Sequence, residues 1–288
     1  MGQDSEMQAD ADTHLDSLAA EVAELVGGAD AIVIAAGAGM GVDSGLPDFR
    51  GTEGFWKSYP ALARSGIDFH AIASPKTFAR DPRLAWGFYG HRLALYRTTV
   101  PHDGFGILRD WGARALHGCG VFTSNVDGQF QRAGFDAARI HECHGSIHHL
   151  QCTRPCCAAI WPADGFEPEV DEDACQLLNA PPLCPQCGAL ARPNVLMFGD
   201  WDWIEDRAAQ QQRTLDNWLD RVERPVVIEI GAGTAIPSVR HFTHDTLLKR
   251  NGRVIRINPR DATAPTKRDI AMACGARRAL RAIDAFLR

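Results

Sequence analysis

The stretch "AIVIAAGAGMGVDSGLPDFRG", residues 31–51, decides the fold. Its opening run of Ala, Ile and Val predicts a β-strand that is apolar on both faces, as in a parallel sheet covered by helices. The strand leads into the Gly-Ala-Gly turn at 37–39, which is tight enough for backbone N–H groups to approach a phosphate. Val42 stands where a dehydrogenase fingerprint has its third glycine, and Pro-Asp-Phe-Arg follows at 47–50. The pattern therefore indicates a nucleotide-binding turn of a different kind from that of a dehydrogenase.

The rest of the chain continues the alternation of strands and helices. Three further strands, each ending in a loop with Gly, Asn or Asp, are predicted at 118–130, 224–233 and 252–259. Helices are predicted from apolar residues at helical spacing at 13–26, 83–97 and 276–288. In a doubly wound parallel sheet the ligand binds at the carboxyl ends of the strands. We therefore predict an α/β fold with a Rossmann-like, doubly wound parallel sheet.

The composition is that of an ordinary globular protein, with 45% hydrophobic and 23% charged residues in a chain of 288. A net charge of −6 argues against broad binding to nucleic acid or anionic membranes, because those partners select a basic face. The longest apolar run, residues 31–42, is too short to span a bilayer. The acidic residues 1–12 lack the apolar segment of a secretory signal, and we predict that they form a disordered tail. We expect a cytoplasmic monomer that binds neither nucleic acid nor membranes.

Nine cysteines in a chain without a visible export signal favour metal ligands and reduced thiols over disulfides. Cys184 and Cys187 form a C-x2-C pair followed by glycine, which is typical of a zinc knuckle. Cys152 and Cys156 form C-x3-C, and Cys157 offers C-x4-C as an alternative. Four thiolates would hold one Zn²⁺ per chain with no open coordination position, so we expect the zinc to be structural. A proline-led turn favours Cys156, but the choice between Cys156 and Cys157 stays open.

Polar residues and glycines at the strand ends are candidates for binding a nucleotide. A second Gly-x-Gly turn at 231–233 repeats the chemistry of the first, and Asn125, Asp127 and Asn258 follow other strands. If the sheet is parallel, these groups lie at one edge of it. Four histidines fall within "HECHGSIHH", and His144, which Gly-Ser follows, is the best placed of them to act as a general base beside a ligand.

These motifs together resemble those of one known family. "GAGMGVDSGLPDFRG", "TSNVDGQFQRAG", "HECHGS", the two cysteine pairs, "RPNVLMFGD" and "IRINP" are similar in order and spacing to the sirtuins, the NAD-dependent protein lysine deacylases, over about residues 20–285. The resemblance implies that NAD and acyl-lysine meet in a cleft between a Rossmann-like domain and a small domain made of a zinc ribbon and a helical insertion. The implied segments are 13–50, 104–147 and 195–288 for the Rossmann-like domain, 51–103 for the helical insertion with the cofactor loop, and 148–194 for the zinc-binding module.

The resemblance also implies the residues that bind NAD. The two glycine turns would hold the phosphates and the adenosine half, and Asn125 and Asp127 would line the nicotinamide pocket and share in catalysis with His144, the general base. The implied cofactor-binding residues are Gly37, Ala38, Gly39, Asp48, Phe49, Arg50, Ser124, Asn125, Asp127, Gly231, Ala232, Gly233, Asn258 and Cys274.

In the implied reaction, the acyl oxygen of the substrate lysine attacks the nicotinamide ribose and releases nicotinamide. A ribose hydroxyl that His144 activates then takes over the acyl group, which gives free lysine and O-acyl-ADP-ribose. The electrophilic carbon must be reached by one nucleophile and hidden from water, a task that suits Phe49 on a mobile loop.

The implied substrates are acylated lysines of proteins or peptides. Their backbone would pair, as an added strand, with the segment that contains Val195, Leu196, Phe198 and Gly199. Tyr89 and Arg92, at helical spacing, resemble the pair of the sirtuin branch that removes succinyl, malonyl and glutaryl groups. Arginine with a tyrosine hydroxyl is a sound binding site for a carboxylate. The alternative is an ordinary amphipathic helix with a buried tyrosine and an exposed arginine.

The chain departs from the family pattern at several positions. Gly41 stands where most members have Ser or Thr, and Ser124 where most have Gln. Ala-Gly at 232–233 replaces Thr-Ser, Asp200 replaces Glu, and Phe105 replaces His. We interpret the chain as a divergent bacterial-type member. The alternatives are a mono-ADP-ribosyltransferase or NAD-cleaving relative, and a non-catalytic NAD- and zinc-binding module for acylated proteins.

Overall fold

The computed structural model describes residues 2–48, 51–154 and 156–288, and it describes only the backbone of residues 2–12 and 51–53. Phe49 and Arg50, both predicted to bind the cofactor, lie outside the described residues. None of the helices in the described part of the chain is both long and apolar enough to cross a membrane.

A six-stranded parallel sheet organises the larger part of the molecule. The strands of the described chain are β1 (Ala31–Ala36), β2 (Cys119–Thr123), β3 (Ile140–Glu142), β4 (Gly145–Cys152), β5 (Ile160–Pro162), β6 (Val170–Asp171), β7 (Gln176–Leu177), β8 (Ala191–Val195), β9 (Pro225–Ile230), β10 (Arg253–Ile257) and β11 (Ile270–Met272). Six of them pair in the order β11-β10-β9-β1-β2-β3, all parallel. With β1 in the interior and the chain leaving it towards both edges, this is the predicted doubly wound arrangement.

Helices cover this sheet and build a second, smaller part of the molecule. They are α1 (Gly2–Gly27), α2 (Gly51–Ser58), α3 (Pro60–Arg64), α4 (Phe69–Ile72), α5 (Pro75–Arg80), α6 (Pro82–Thr98), α7 (Asp103–Arg114), α8 (Gln129–Arg132), α9 (Asp206–Leu219), α10 (Ser238–Lys249) and α11 (Ala276–Ala285). α1, α7 and α11 pack together on one face of the parallel sheet, and α9 and α10 lie on the other.

The two faces of β1 explain why this strand is central. Ile32 and Ile34 belong to the core beneath α1, α7 and α11, whereas Ala31, Val33 and Ala35 belong to the core beneath α9 and α10. All six residues of the strand are buried. The prediction of a strand that is apolar on both faces is confirmed, because only a sheet covered on both sides buries every side chain.

The register brings the ends of all six strands to the same level. One continuous row of paired residues runs across the sheet and consists of Met272, Ile257, Ile230, Ala36, Thr123 and Glu142. Each strand stops at or near this row, so the following loops share one edge of the sheet.

The short edge strands and the start of the first helix differ from the expectations. β3 and β11 have three residues each, too few for a strand pattern to show in the sequence. The backbone is helical from Gly2, whereas the sequence predicted a disordered tail over residues 1–12. Once 13–26 is helical, extending it toward the N-terminus needs no new nucleation, and this segment has no proline to interrupt it.

The smaller part combines an antiparallel sheet with the helices between residues 51 and 98. Its three strands lie in the order β5-β4-β8, and α6 packs against the short pair β6 and β7. Trp86 and Phe88 of α6 join Ile147 of β4 in one buried apolar cluster. β4 begins directly after the loop that follows β3, so the two parts of the molecule meet beside the strand ends.

Candidate active site

Two glycine turns contact each other at the shared edge of the parallel sheet. The Gly37 N–H donates to the carbonyl of Ile230, and the Gly39 N–H donates to the carbonyl of Gly231 at 3.2 Å. A Cβ on Gly37 would lie 2.7 Å from the Gly231 oxygen, and one on Gly39 would lie 2.6 Å from the Gly231 Cα. These glycines are therefore required for the contact between the two turns, a role that the sequence did not reveal.

Two asparagine side chains bond the neighbouring loops to the two glycine turns. The turns and these loops together form a cradle at the edge of the sheet. Asn125 Nδ2 donates to the carbonyl of Gly37 at 3.1 Å. Asn258 is buried, and its Nδ2 donates to the carbonyl of Ala232 at 3.0 Å. The expectation that polar groups from several strand ends converge is confirmed, since loops after β1, β2, β9 and β10 join here.

The surface of this cradle carries small, exposed residues. Ala38 and Gly233 are exposed, and a Cβ on Gly233 would meet nothing within 4 Å. Small side chains at the carboxyl edge of parallel strands leave room for phosphates against backbone N–H groups. Asp48 is half-buried, and Cys274 follows β11, the last strand of the row.

His144 leaves the end of β3 and lies between the loops that follow β2 and β9. Its Nε2 lies 3.2 Å from the Ser238 hydroxyl oxygen at the start of α10, and the imidazole also bonds to the backbone of Ser124. Burial lowers the pKa of His144, although the bond to Ser124 opposes this shift. The imidazole is therefore mostly neutral at pH 7, as a general base must be.

The other three histidines of the cluster occupy different surroundings. His141 packs edge-on against Phe122, and burial lowers its pKa to about 4. His148 Nε2 bonds to the carbonyl of Asp127 at 2.9 Å. Burial lowers the pKa of His149 to about 4, with a further contribution from the charge of Arg207.

Asp127 is buried at the end of the β2 loop. Its Oδ1 accepts a hydrogen bond from the Gln129 N–H at 2.9 Å. Burial raises the pKa of Asp127 to about 6, an effect that this hydrogen bond and the charge of Arg92 partly offset. The carboxyl group can thus change protonation state close to neutral pH, which is common for groups in active sites.

A buried ion pair fixes the strand end from which His144 leaves the sheet. The Glu142 carboxylate accepts from Arg207 of α9, and the Glu142 N–H donates to Gln211 Oε1 at 3.1 Å. The carboxylate is almost fully buried. α9 therefore holds the end of β3, two residues before His144.

The residues predicted to bind the acyl group lie inside the small part of the molecule. Tyr89 and Arg92 are both buried, and the Arg92 guanidinium lies 6.0 Å from the Tyr89 ring centroid. Arg92 Nε and Nη2 both donate to the Tyr96 hydroxyl. The alternative of an amphipathic helix with an exposed arginine is wrong, because Arg92 is only 8% exposed.

The segment expected to pair with a substrate backbone adjoins His144. The Leu196 N–H donates to the His144 carbonyl, and the Phe198 N–H donates to the Ala73 carbonyl, both at 2.9 Å. Val195 ends β8, and the side chain of Leu196 is 40% exposed. One edge of the segment is thus held by the protein itself. Whether Gly199 and its neighbours bind substrate stays a prediction.

The four cysteines favoured by the sequence lie together. The Sγ atoms of Cys152, Cys156, Cys184 and Cys187 are all within 4.8 Å of one another. Two Sγ–Sγ distances are 3.6 and 3.7 Å, close to the roughly 3.8 Å edge of a tetrahedron with Zn–S bonds of about 2.3 Å. The set fits Zn²⁺, and within the described chain Cys157 lies outside this group.

Two contacts at the site could not be found in the sequence. Ser238 reaches His144 from 94 residues further along the chain, and no motif marks it. Tyr96 lies within the predicted helix, but only the structure shows that its hydroxyl faces Arg92.

Comparison with known proteins identifies relatives of the chain. The sequence profile of the Sir2 family matches residues 37–228. "NAD-dependent protein deacylase 1" of Pseudomonas aeruginosa is 30% identical over 83% of this chain and 86% of its own length. "NAD-dependent protein deacylase 2" of Pyrobaculum aerophilum is 35% identical, and the mitochondrial protein deacylase sirtuin-5 of Canis lupus familiaris is 32% identical. The matched part spans 63% of the Pyrobaculum protein and 60% of the canine protein.

Solved structures share the fold. A Sir2 homologue in complex with NAD has a TM-score of 0.67 and 23% identity, over 93% of this chain and 94% of its own. A mutant Sir2 homologue in complex with ADP-ribose has a TM-score of 0.66 and 24% identity, over 93% of this chain and 97% of its own.

Proposed function

The chain belongs to the Sir2 family, and from this premise we propose that it is an NAD-dependent protein lysine deacylase. The observation that carries the proposal is the position of His144. A neutral imidazole lies at the edge of the sheet where two glycine turns and two asparagines form a cradle for a dinucleotide. NAD would supply an electrophilic ribose carbon, with nicotinamide as leaving group, and a hydroxyl that accepts the acyl group.

Different residues of this chain would bind NAD and act as the general base. The turns at 37–39 and 231–233 would lie against the phosphates, and Asn125 and Asp127 would line the nicotinamide pocket. His144 would take the proton of a ribose hydroxyl at Nε2. That atom already lies 3.2 Å from the Ser238 hydroxyl oxygen, so a hydroxyl group can reach it.

The acyl group would extend toward α6. Tyr89 and Arg92 lie buried on that helix, and a buried guanidinium near a tyrosine ring is suited to the carboxylate of a succinyl or malonyl group. We therefore assign acidic acyl groups to the substrates, together with the acetyl group. The substrate backbone would run along residues 195–199.

The substrates would be acylated proteins that this enzyme meets as a cytoplasmic monomer. A set of four thiols close enough to share one Zn²⁺ suits a reducing compartment. The zinc would be structural, because four cysteine ligands leave no open coordination position.

The test is incubation of the full chain with NAD and a panel of acetyl-, succinyl- and malonyl-lysine peptides, followed by mass spectrometry. We expect deacylated peptide, nicotinamide and O-acyl-ADP-ribose in equal amounts. Consumption of NAD without deacylated peptide would contradict the proposal and support an NAD-cleaving enzyme. Transfer of ADP-ribose to protein would support the ADP-ribosyltransferase alternative. Peptide binding without NAD turnover would indicate a non-catalytic module.

A further inference from the structure

The Arg92 side chain is surrounded by the three tyrosines of this chain. Tyr89 precedes it by three residues and Tyr96 follows it by four, so both lie on its face of α6. Tyr59 lies close enough for its charge state to influence the pKa of Arg92. All three tyrosines are at most 6% exposed. The guanidinium therefore sits in an aromatic pocket rather than at a helix surface.

One of these tyrosines holds a defined edge of the guanidinium. The Tyr96 hydroxyl oxygen accepts from Arg92 Nε at 2.9 Å and from Arg92 Nη2 at 2.7 Å. Burial raises the pKa of Tyr96, so its hydroxyl is un-ionised and acts as a neutral acceptor. The Nη1 atom is not part of this contact. A carboxylate that binds Arg92 with both oxygens while Tyr96 is in place uses the other edge, Nη1–Nη2.

This contact matters because an arginine side chain has many conformations. Immobilising a long side chain on binding costs conformational entropy, and a ligand avoids this cost when the protein has already fixed the group. A ring on the same helix, one turn away, fixes Arg92 before any substrate arrives.

We propose that Tyr96 is a positioning residue for acyl specificity: its hydroxyl locks Arg92 by the Nε–Nη2 edge, so that the guanidinium presents its Nη1–Nη2 edge to an acidic acyl group. The inference rests on the proposed deacylase function. It adds a residue that acts through Arg92 and leaves neutral acyl groups unaffected, because an acetyl group offers no carboxylate for the guanidinium to bind.

The test compares Tyr96→Phe with a matched control, Tyr59→Phe. Both substitutions remove one hydroxyl from a buried ring, but the Tyr59 hydroxyl bonds to His91 Nδ1 at 2.9 Å, whereas that of Tyr96 bonds to Arg92. For Tyr96→Phe we expect kcat/KM on a succinyl-lysine peptide to fall about 3- to 10-fold, mainly through KM, and on the acetyl peptide less than about twofold. Tyr59→Phe should leave the ratio of the two substrates unchanged.

Equal losses on both peptides, or a higher succinyl-to-acetyl ratio in Tyr96→Phe, would overturn the inference. The same change of ratio in Tyr59→Phe would also overturn it, since the effect would then be one of packing. Dissociation constants of the succinyl and acetyl peptides, measured by fluorescence polarisation, give the ratio of the two binding affinities without any need for turnover. An inactive wild type would thus defeat the proposed function, while the binding ratio still decides the role of Tyr96.

Discussion

Arg192 and Asp200 form a bidentate ion pair in the interior of the protein, with Nη1–Oδ2 at 2.7 Å and Nη2–Oδ1 at 2.9 Å. Both side chains are at most 2% exposed. The Asp200 carboxylate also accepts from the Met197 N–H at 3.3 Å. The pair closes the turn that follows β8, and it therefore shapes the segment proposed to bind the substrate backbone. The aspartate at this family position has a structural role here.

Removing one partner of this pair should destabilise the protein strongly. Arg192→Met leaves a buried carboxylate without its counter-ion, and we expect the free energy of unfolding to fall by about 3–5 kcal/mol in urea titrations. The control is Glu167→Gln, since Glu167 is 82% exposed in its pair with Arg97. That change should cost less than about 1 kcal/mol. Similar losses in both variants would show that burial of the Arg192–Asp200 pair is unimportant.

The pH dependence of activity should reflect His144. Burial places its pKa below the ordinary value of about 6.5, so the base form is present at neutral pH and is lost as the pH falls. We expect kcat/KM to be constant above neutral pH and to decrease on the acid side, and His144→Ala to lower kcat by about 10²- to 10⁴-fold. His244→Ala, at an exposed position, should keep the wild-type profile. Unchanged turnover in His144→Ala would exclude the general base.

The stability of the folded state should depend on Asp127 between about pH 4 and pH 6. The folded pKa of about 6 lies above the unfolded value of about 3.9, so the folded state binds the extra proton and loses stability as the pH rises through this window. Asp127→Asn does not titrate. Between pH 4 and pH 7 we expect the free energy of unfolding of the variant to rise by about 1–3 kcal/mol relative to that of the wild type, as measured by urea unfolding. A difference that stays constant with pH would contradict the raised pKa.

Zinc analysis should show which of two adjacent cysteines is the zinc ligand. Cys156 lies within the group of four thiols and Cys157 does not, although their Sγ atoms are 3.5 Å apart. We expect one zinc per wild-type chain, and we expect the protein to unfold when a chelator removes the zinc. Cys156→Ser should bind zinc more weakly. Cys157→Ser should retain zinc and thermal stability. Loss of zinc from Cys157→Ser alone would reverse the assignment of the ligand.

Serine at position 41 should restore a family contact. Gly41 has φ −82°, which any residue adopts, and a Cβ there would lie 3.1 Å from the flexible tip of Leu46. We expect Gly41→Ser to fold normally and, by adding one hydrogen bond, to lower the Kd for NAD by about 2- to 10-fold in calorimetry. Gly45→Ser is the contrast, because φ is +88° there and the change should cost about 1 kcal/mol of stability. A higher Kd for NAD in Gly41→Ser would show that the Leu46 side chain cannot move aside.

Local patterns predicted the elements that depend on a few neighbouring residues. β1 was predicted from a run of Ala, Ile and Val, and α6 from apolar residues at helical spacing, because burial on two faces or one face leaves a distinct periodicity. The zinc ligands were predicted because a knuckle fixes the spacing of its cysteines. β3 and β11 were missed, since a three-residue strand at a sheet edge carries no periodicity.

The sequence by itself determined the parallel α/β fold, the glycine turns, the two cysteine clusters and the candidate histidine, because each is a local pattern imposed by backbone sterics, solvation or coordination. Only the tertiary structure decided which of these groups meet. Strand register placed six strand ends in one row, close packing set Gly39 against Gly231, and α10 brought Ser238 to His144. Such contacts join residues far apart in the chain, and their partners are selected by the packing of whole helices and strands, which no local pattern records.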